Sequence, residues 1–484
     1  MGMRERTALD RRRLLAAGAG MALLAGLPAL AQVPIPAPAQ IPTAVRTGRL
    51  EVRGRTVAYR AETGERVMTN AAGAPRATIF SVGYLEEGAD PKTRPVSFVW
   101  NGGPGGSTWH LREHLSPKMT VLAQTKTRYA FVGNPDSPID VTDLVFIDAP
   151  GTGYSRFLSE EAKPQYWGVE ADGKAFADFI AGWLADHGRL GSPVFLIGES
   201  YGGTRAGQIA KFLAARPQPI GLTGVVLISP TLGSGGPPSA PAPILALSSM
   251  AAVAHYHGRG AHTAKPLDVL VKEAEAFADG PYTAALAKGD ALDAATRERI
   301  ADQVAGYVGL PRQVILDARL TPSVQQFRTT LLPGERLDGG DGREHRVPPP
   351  PAQDTVVTAN DTYDLHASIV GLLTDELGYT PASAYWRDPV EANRRWNQAL
   401  TGPAYTPAIL KGLKAPKTKV FLVAGYYDLI VPYRTPVGGL SAAGFEPGRL
   451  EVKLYPVGHG VYEDVKVRPK ATDDLRAFYK RALK

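Results

Sequence analysis

The chain has 484 residues, 44% hydrophobic and 21% charged. These are the proportions of a globular protein with a large core, not of a disordered or low-complexity chain. There is no cysteine, which excludes disulfide stapling. The formal charge of +7 overstates the basicity of the body of the chain: residues 1–31 carry five arginines against Glu5 and Asp10. No basic stripe with interleaved aromatics follows, so nucleic acid is not an expected partner. The length fits about three domains or one α/β domain with insertions.

Residues 1–31 read as an export signal. Arg11-Arg-Arg-Leu-Leu15 precedes an Ala/Gly/Leu-rich run ending in Ala29-Leu30-Ala31, an A-x-A cleavage site. Paired arginines followed by Leu-Leu resemble a bacterial twin-arginine signal. Pro28 interrupts the run, which is barely long enough to span a bilayer, and this argues against an anchor. The expected mature protein starts at Gln32, is periplasmic or secreted, and keeps no stable membrane association. Residues 32–47 are Pro-rich and read as an extended linker. From Gly48 to about Glu87, alternating segments predict antiparallel hairpins at a sheet edge.

Pro95-Val-Ser-Phe-Val-Trp100 predicts a strand that runs into Asn101-Gly-Gly-Pro-Gly-Gly-Ser107. Glycines in that place expose backbone N–H groups that can approach a developing oxyanion. Leu144-Val-Phe-Ile-Asp148 is the next strand. Ala149-Pro-Gly-Thr-Gly-Tyr-Ser155 after it lacks the lysine spacing of a phosphate loop and a full G-x-G-x-x-G, so no nucleotide cofactor is called for. Trp167 to Asp186 has helical spacing.

Val194-Phe-Leu-Ile-Gly-Glu-Ser-Tyr-Gly-Gly203 then gives strand, G-x-S-x-G and helix in succession. That context predicts a nucleophile elbow with Ser200 at its tip. A serine needs a base and a carboxylate to orient the base. Asp428 follows the strand pattern Lys419–Gly425, and His459 follows Leu450–Tyr455, in the chain order Ser, Asp, His.

Between Pro230 and the acid-bearing strand, residues 235–410 read as helical and irregular, with prolines at 348–351. This stretch is expected to be a lid inserted between core parts 48–234 and 411–484. His255, His257 and His262 lie in it without a carboxylate at ligand spacing, so they read as solvated or capping residues and no metal is expected. Leu337-Asp-Gly-Gly-Asp-Gly342 lacks the terminal glutamate of a calcium loop and reads as a flexible turn.

Trp100-Asn-Gly-Gly-Pro-Gly105, Asp148-Ala-Pro-Gly-Thr-Gly-Tyr-Ser155, Gly198-Glu-Ser-Tyr-Gly-Gly203, Ala424-Gly-Tyr-Tyr-Asp428 and Gly458-His459 stand in the order seen in serine carboxypeptidases. From about residue 48 to the end, the chain resembles that family, most closely its bacterial, cysteine-free members. The resemblance implies an α/β-hydrolase fold: a mostly parallel central sheet, helices on both faces and a mainly helical lid. It implies Ser200 as nucleophile, His459 as base, Asp428 as its orienter, and the N–H groups of Gly103 and Tyr201 as oxyanion hole. Asn101 and Glu199 would bind the free C-terminal carboxylate of a peptide substrate, with burial raising the Glu199 pKa so that it donates a proton. Activity at acidic pH is then expected.

Two positions depart from the family. Eukaryotic members carry a second glutamate after the glycine loop, where this chain reads His110-Leu-Arg-Glu-His-Leu115. Glu113 lies one residue out of register, with His114 and Arg112 as alternatives. Tyr426 stands where the family usually has an aspartate. Two other readings remain open: an esterase or acyltransferase using the same triad, and a binding protein on an inactive hydrolase fold. The intact Ser200, Asp428 and His459 weigh against the latter.

Overall fold

The computed structural model describes residues 43–122, 129–233, 240–347, 365–387, 389–397, 405–413 and 418–484. Residues 1–31, read as an export signal, and residues 32–42 of the linker lie outside the described residues. A ten-stranded sheet organises the rest. Its main path uses β1 (Thr43–Val52), β2 (Arg55–Thr69), β3 (Pro75–Glu86), β4 (Val96–Trp100), β5 (Asp143–Ile147), β6 (Val194–Glu199), β7 (Gly224–Ile228), β8 (Lys419–Gly425) and β9 (Leu450–Tyr455). The spatial order is β1-β2-β3-β5-β4-β6-β7-β8-β9, and Arg156–Phe157 adds a short strand beside β3. The first three strands pair antiparallel, as does β3 with β5. From β5 to β9 every pairing is parallel.

One boundary shifts. Residues 43–47, read as linker, belong to β1, because the long β2 offers Arg60 to Gly64 as pairing partners for Thr47 back to Thr43.

The parallel strands are apolar along their whole length because both faces are covered. Leu196, Val225, Leu227, Val420 and Leu422 pack with α2 (Val169–Asp186), α3 (Tyr201–Ala214) and α4 (Ala242–Tyr256) in one cluster. Phe195, Ile197, Val226, Phe421 and Val423 point the other way, onto α1 (Trp109–Leu115) and a C-terminal helix, Arg468–Ala482. Period-2 alternation along each strand thus divides one apolar run between two cores.

The insertion divides as well. Its helices up to residue 331 extend the first core, through Val271, Phe277, Ile300, Val304 and Phe327. Ile369, Leu373, Leu377, Tyr379 and Tyr385 instead join the second core on the opposite face. Thr406–Gly412 lies on α3, with Thr406 Oγ1 donating to the Gly203 carbonyl at 3.3 Å. Ile369 to Tyr385 therefore pack into the second core, while Ala392 and Trp396 form a small separate cluster with Trp167, Val169 and Tyr201. Among the described residues, no helix is long and apolar enough to cross a membrane.

The chain leaves β4 for β5 on one side and crosses to β6 on the other. That reversal opens a crevice at the carboxyl ends of β4 and β6, where open α/β sheets bind ligands. Trp100 pairs with Gly198 at that end. Asn101 and Ser200 are thereby delivered to the same place.

Candidate active site

Strand β6 is buried throughout and ends at Ser200, whose φ of 58° and ψ of −124° place a non-glycine residue at positive φ. Such a conformation persists only when its surroundings over-determine it. Ser200 N donates to the Ile228 carbonyl at 2.9 Å, and the Ser200 carbonyl accepts from Gly203 N and Thr231 N, both at 2.9 Å. The flanking glycines are sterically required. A Cβ on Gly198 would stand 2.3 Å from the Gly202 carbonyl oxygen, and one on Gly202 would stand 2.9 Å from the Trp100 ring. Trp100 Nε1 donates to the Gly202 carbonyl at 3.0 Å and fastens β4 to the elbow. The helix α3 starts directly after Ser200.

Asp428 and His459 reach the same crevice from the ends of β8 and β9. Asp428 is fully buried. Its Oδ1 accepts from Ile430 N and Val431 N at 2.8 Å, and its Oδ2 faces His459 Nδ1 at 2.6 Å. That hydrogen bond fixes the ring and leaves Nε2 for the reacting group. Burial pushes His459 down, but the charge and hydrogen bond of Asp428, with the charge of Glu199, hold it above the usual imidazole range. Burial pushes Asp428 up against its three donors. The pair thus holds a proton more tightly than a free imidazole.

The histidine is also held by its backbone. His459 N donates to the Gly340 carbonyl at 2.7 Å, and Ser229 Oγ donates to the His459 carbonyl at 2.7 Å. Leu429 N donates to the Gly339 carbonyl at 3.0 Å and Gly342 N to the Tyr427 carbonyl at 2.9 Å. The glycine-rich run 337–342, read as a flexible turn, is therefore a support for both the acid and the base. Gly458, beside the base, admits the close approach: a Cβ there would lie 2.5 Å from the Gly340 carbonyl oxygen.

The loop after β4 sits across from the elbow. A Cβ on Gly102 would lie 2.6 Å from Tyr201 N and 2.7 Å from the Glu199 carbonyl oxygen. Gly103, at φ 115°, lines the same cavity as Ser200 and His459. The Tyr201 ring turns away, against Trp396 at 5.5 Å. A fully buried ion pair carries this loop: Arg205 Nε binds Asp172 Oδ2 at 2.7 Å and Arg205 Nη1 donates to the Asn101 carbonyl at 2.6 Å. The stretch 148–155 is scaffold. Asp148 Oδ1 accepts from Thr108 N at 2.8 Å, and Ser155 Oγ links the Asp148 carbonyl to Phe80 N, both at 2.8 Å.

Asn101 and Glu199 meet directly, Asn101 Nδ2 donating to Glu199 Oε1 at 2.8 Å. The nearby candidates from α1 go elsewhere. Glu113 accepts from Thr120 Oγ1 at 2.9 Å and from Thr120 N, tying the helix to the next segment. Arg112 is buried below the loop, over the Tyr385 ring at 5.9 Å. His114 sits against the His110 ring and accepts from Arg468 Nη1 at 3.4 Å; burial drives its pKa well down. Tyr426 packs edge-on to Tyr433 at 5.4 Å.

His110, not singled out from the sequence, does face the site. Its Nδ1 lies 3.3 Å from Glu199 Oε1, and its Nε2 meets Glu463 Oε1. Glu463, four residues past His459, was also missed; only the fold brings it opposite α1. Burial pushes Glu199 up, as expected from the sequence, but the charge and hydrogen bond of His110, the charge of His459 and the amide of Asn101 outweigh it and hold Glu199 below the usual range. The expected upward shift is therefore reversed, because a cationic partner absent from the motif stands beside it. His110, His114 and Glu463 bring ligand atoms within 4.8 Å of one another. The His110 nitrogens face two carboxylates, and Arg468 abuts His114. His255 and His257 cap the Lys265 and Gly342 carbonyls, both at 2.8 Å.

Ser200, His459, Asn101, Glu199, His110 and Glu463 all open into one cavity of about 890 Å³. Residues 82–235, which hold the glycine loop and the elbow, match the family model of the serine carboxypeptidases. Over that stretch the chain is similar to the serine carboxypeptidases, and it is a serine hydrolase. The fold is similar to that of a prohormone-processing carboxypeptidase from Saccharomyces cerevisiae, at 15% identity and a TM-score of 0.53 over 92% of each chain. A carboxyl esterase from Bacillus coagulans superposes at 11% identity and a TM-score of 0.37, covering 87% of this chain and 99% of the other. The latter likeness carries no weight on function.

Proposed function

We propose that the protein is an exported carboxypeptidase that releases C-terminal residues from peptides through an acyl-enzyme on Ser200. One observation carries the reading: the hydrogen-bonded Asn101–Glu199 pair lies in the wall of the cavity that also holds Ser200 and His459. A terminal carboxylate held by this pair would place the last peptide bond of a substrate on the Ser200 side of the cavity. His459 Nε2 takes the Ser200 proton as Oγ adds to the carbonyl carbon, and the oxyanion forms against Gly103 N–H and Tyr201 N–H. The intermediate collapses, the C–N bond breaks, and His459 returns the proton to the leaving amine. Water, deprotonated by the same imidazole, then frees Ser200. The Ala29-Leu-Ala31 site and the arginine pair support export before this chemistry is used.

A second reading, an esterase or acyltransferase, draws support from Glu199. Held ionised, it disfavours an incoming carboxylate and suits an uncharged acyl substrate. Digestion of a peptide library by the mature protein, followed by mass spectrometry, separates the two. Ladders shortened only from the C-terminus are the expected result. Intact peptides alongside hydrolysis of simple esters would replace the first reading with the second.

A further inference from the structure

The helix α1 carries two histidines one turn apart. His110 and His114 fall on the same face, with ring centroids 5.1 Å apart. Glu463 reaches them from the turn after β9, which completes a set of three ligand atoms within 4.8 Å of one another. Two imidazoles and a carboxylate are a ligand set with which zinc keeps one position open. His110-Leu-Arg-Glu-His114 also has the H-x-x-E-H spacing of one class of zinc peptidases. Glu113, which would be the base of such a peptidase, turns away and accepts from Thr120 Oγ1 at 2.9 Å. The cluster is thus furnished to hold an ion but not to hydrolyse with it.

Orientation and charge point the same way. His110 Nδ1 lies 3.3 Å from Glu199 Oε1, and its Nε2 meets Glu463 Oε1. A carboxylate behind one ring nitrogen fixes the tautomer and presents the other nitrogen to a metal. Two carboxylates face this one ring. A proton on it offsets one negative charge, whereas a divalent ion offsets both. Glu463 leaves room for the ion, because half of its side chain (52%) is exposed and can swing outward. Arg468 is the local competitor. Its Nη1 stands 3.4 Å from His114 Nδ1, and Asp136, 3.7 Å from its Nε, draws it aside.

We propose that His110, His114 and Glu463 bind one divalent transition-metal ion of the zinc type, and that the bound ion closes the cleft to peptides. His110 and Glu463 line the cavity shared with Ser200 and His459. An ion held there draws Glu463 out of the cleft and fills the wall that a residue beyond the scissile bond would contact. The ion site stands on the geometry alone; its effect on peptides rests on the carboxypeptidase reading above. A small ester, which needs only the triad and the oxyanion donors, is not obstructed. The ion also joins α1 to the turn after β9, which no disulfide can do in a chain without cysteine, so its binding stabilises the fold.

The test uses the untagged mature protein stripped with EDTA, with zinc chloride and cobalt chloride as probes. Saturating zinc should raise the melting temperature by about 3 °C. Cobalt should give the visible absorption of a four-coordinate nitrogen and oxygen site. Three substrates report on the cleft: an N-blocked dipeptide as free acid, the same dipeptide as C-terminal amide, and a simple ester. Zinc should lower kcat/KM at least about tenfold for both peptides and less than about twofold for the ester, and EDTA should reverse the loss. His114 packs behind His110 against Arg468. His114→Gln should therefore keep the metal-free activity while weakening zinc at least about 100-fold in melting and in inhibition. Glu463→Gln should lose the cobalt band, and metal-free melting temperatures near wild type show that both variants fold. A zinc-induced melting shift undiminished in both variants would overturn the site. Equal loss of ester and peptide hydrolysis would put the ion on the triad and overturn it as well. Zinc binding that leaves peptide hydrolysis unchanged would overturn the closing role. A metal-free enzyme that cleaves no peptide would overturn the carboxypeptidase reading instead, and melting and cobalt absorption would still decide the site.

Discussion

The two walls of the cleft are made differently. The nucleophile wall is assembled from contiguous motifs at strand ends: Ser200 after β6, Asp428 after β8, His459 after β9. Backbone geometry does most of the work there, through a positive-φ serine and glycines whose Cβ atoms would collide. The recognition wall is assembled from side chains on four separate segments, Asn101, His110, Glu199 and Glu463, held by charge and hydrogen bonds. The contrast indicates which wall tolerates change. A strained turn admits almost no substitution, whereas a network of titratable groups can be rewired by moving one acid to another loop.

The largest effects belong to the first wall. Ser200→Ala or His459→Ala should lower kcat by about 10⁶-fold and Asp428→Asn by about 10⁴-fold, in proteins that still melt cooperatively. Labelling of the Ser200→Ala protein by a fluorophosphonate as efficiently as wild type would break the assignment.

Next comes the buried pair beneath both walls. Arg205→Leu strands the fully buried Asp172 and frees the Asn101 carbonyl, and should cost about 3–5 kcal/mol in denaturant unfolding. Arg205→Leu with Asp172→Leu should recover much of that stability but not the acid-to-amide preference, because Asn101 is still unsupported.

A subtler effect separates the walls by pH. Asp428 and Glu199 raise His459, and the imidazole must be neutral to act as base. For an uncharged ester, kcat/KM should therefore fall as pH drops, with a midpoint above the ordinary imidazole range. Glu199→Gln removes one of the raising charges and should move that limb to lower pH, read from the ester profile alone. The smallest effect is expected from Glu113→Gln. This side chain binds Thr120 outside the cleft, so the acid-to-amide ratio should change by less than about twofold.

The fold and the nucleophile wall were legible in the sequence because their constraints are local. Gly198-Glu-Ser-Tyr-Gly202 announces its turn wherever a strand precedes and a helix follows, and Trp100-Asn-Gly-Gly announces its loop in the same way. The recognition wall was legible only in part. Asn101 and Glu199 adjoin those motifs and were found. His110 and Glu463 are 353 positions apart and converge only because α1 and the turn after β9 meet across the sheet. Proximity along the chain pointed instead to Glu113 and Arg112, which helical geometry turns away from the cleft. One segment of the insertion was not legible for a related reason. Tyr379 and Tyr385 carry no motif, and only tertiary packing assigns them to the far face.

The glycine-rich run at 337–342 joins two things usually treated as independent. The stretch roofing the cleft is also the bracket from which the base is suspended, through Gly340 to His459 and Gly339 to Leu429. Access and catalytic alignment therefore share one peptide. A cap excised between the helices and this run would leave the alignment untouched, whereas a cut four residues later would release the imidazole. A graft of another cap should therefore end before residue 337, with residues 337–342 kept beside the triad.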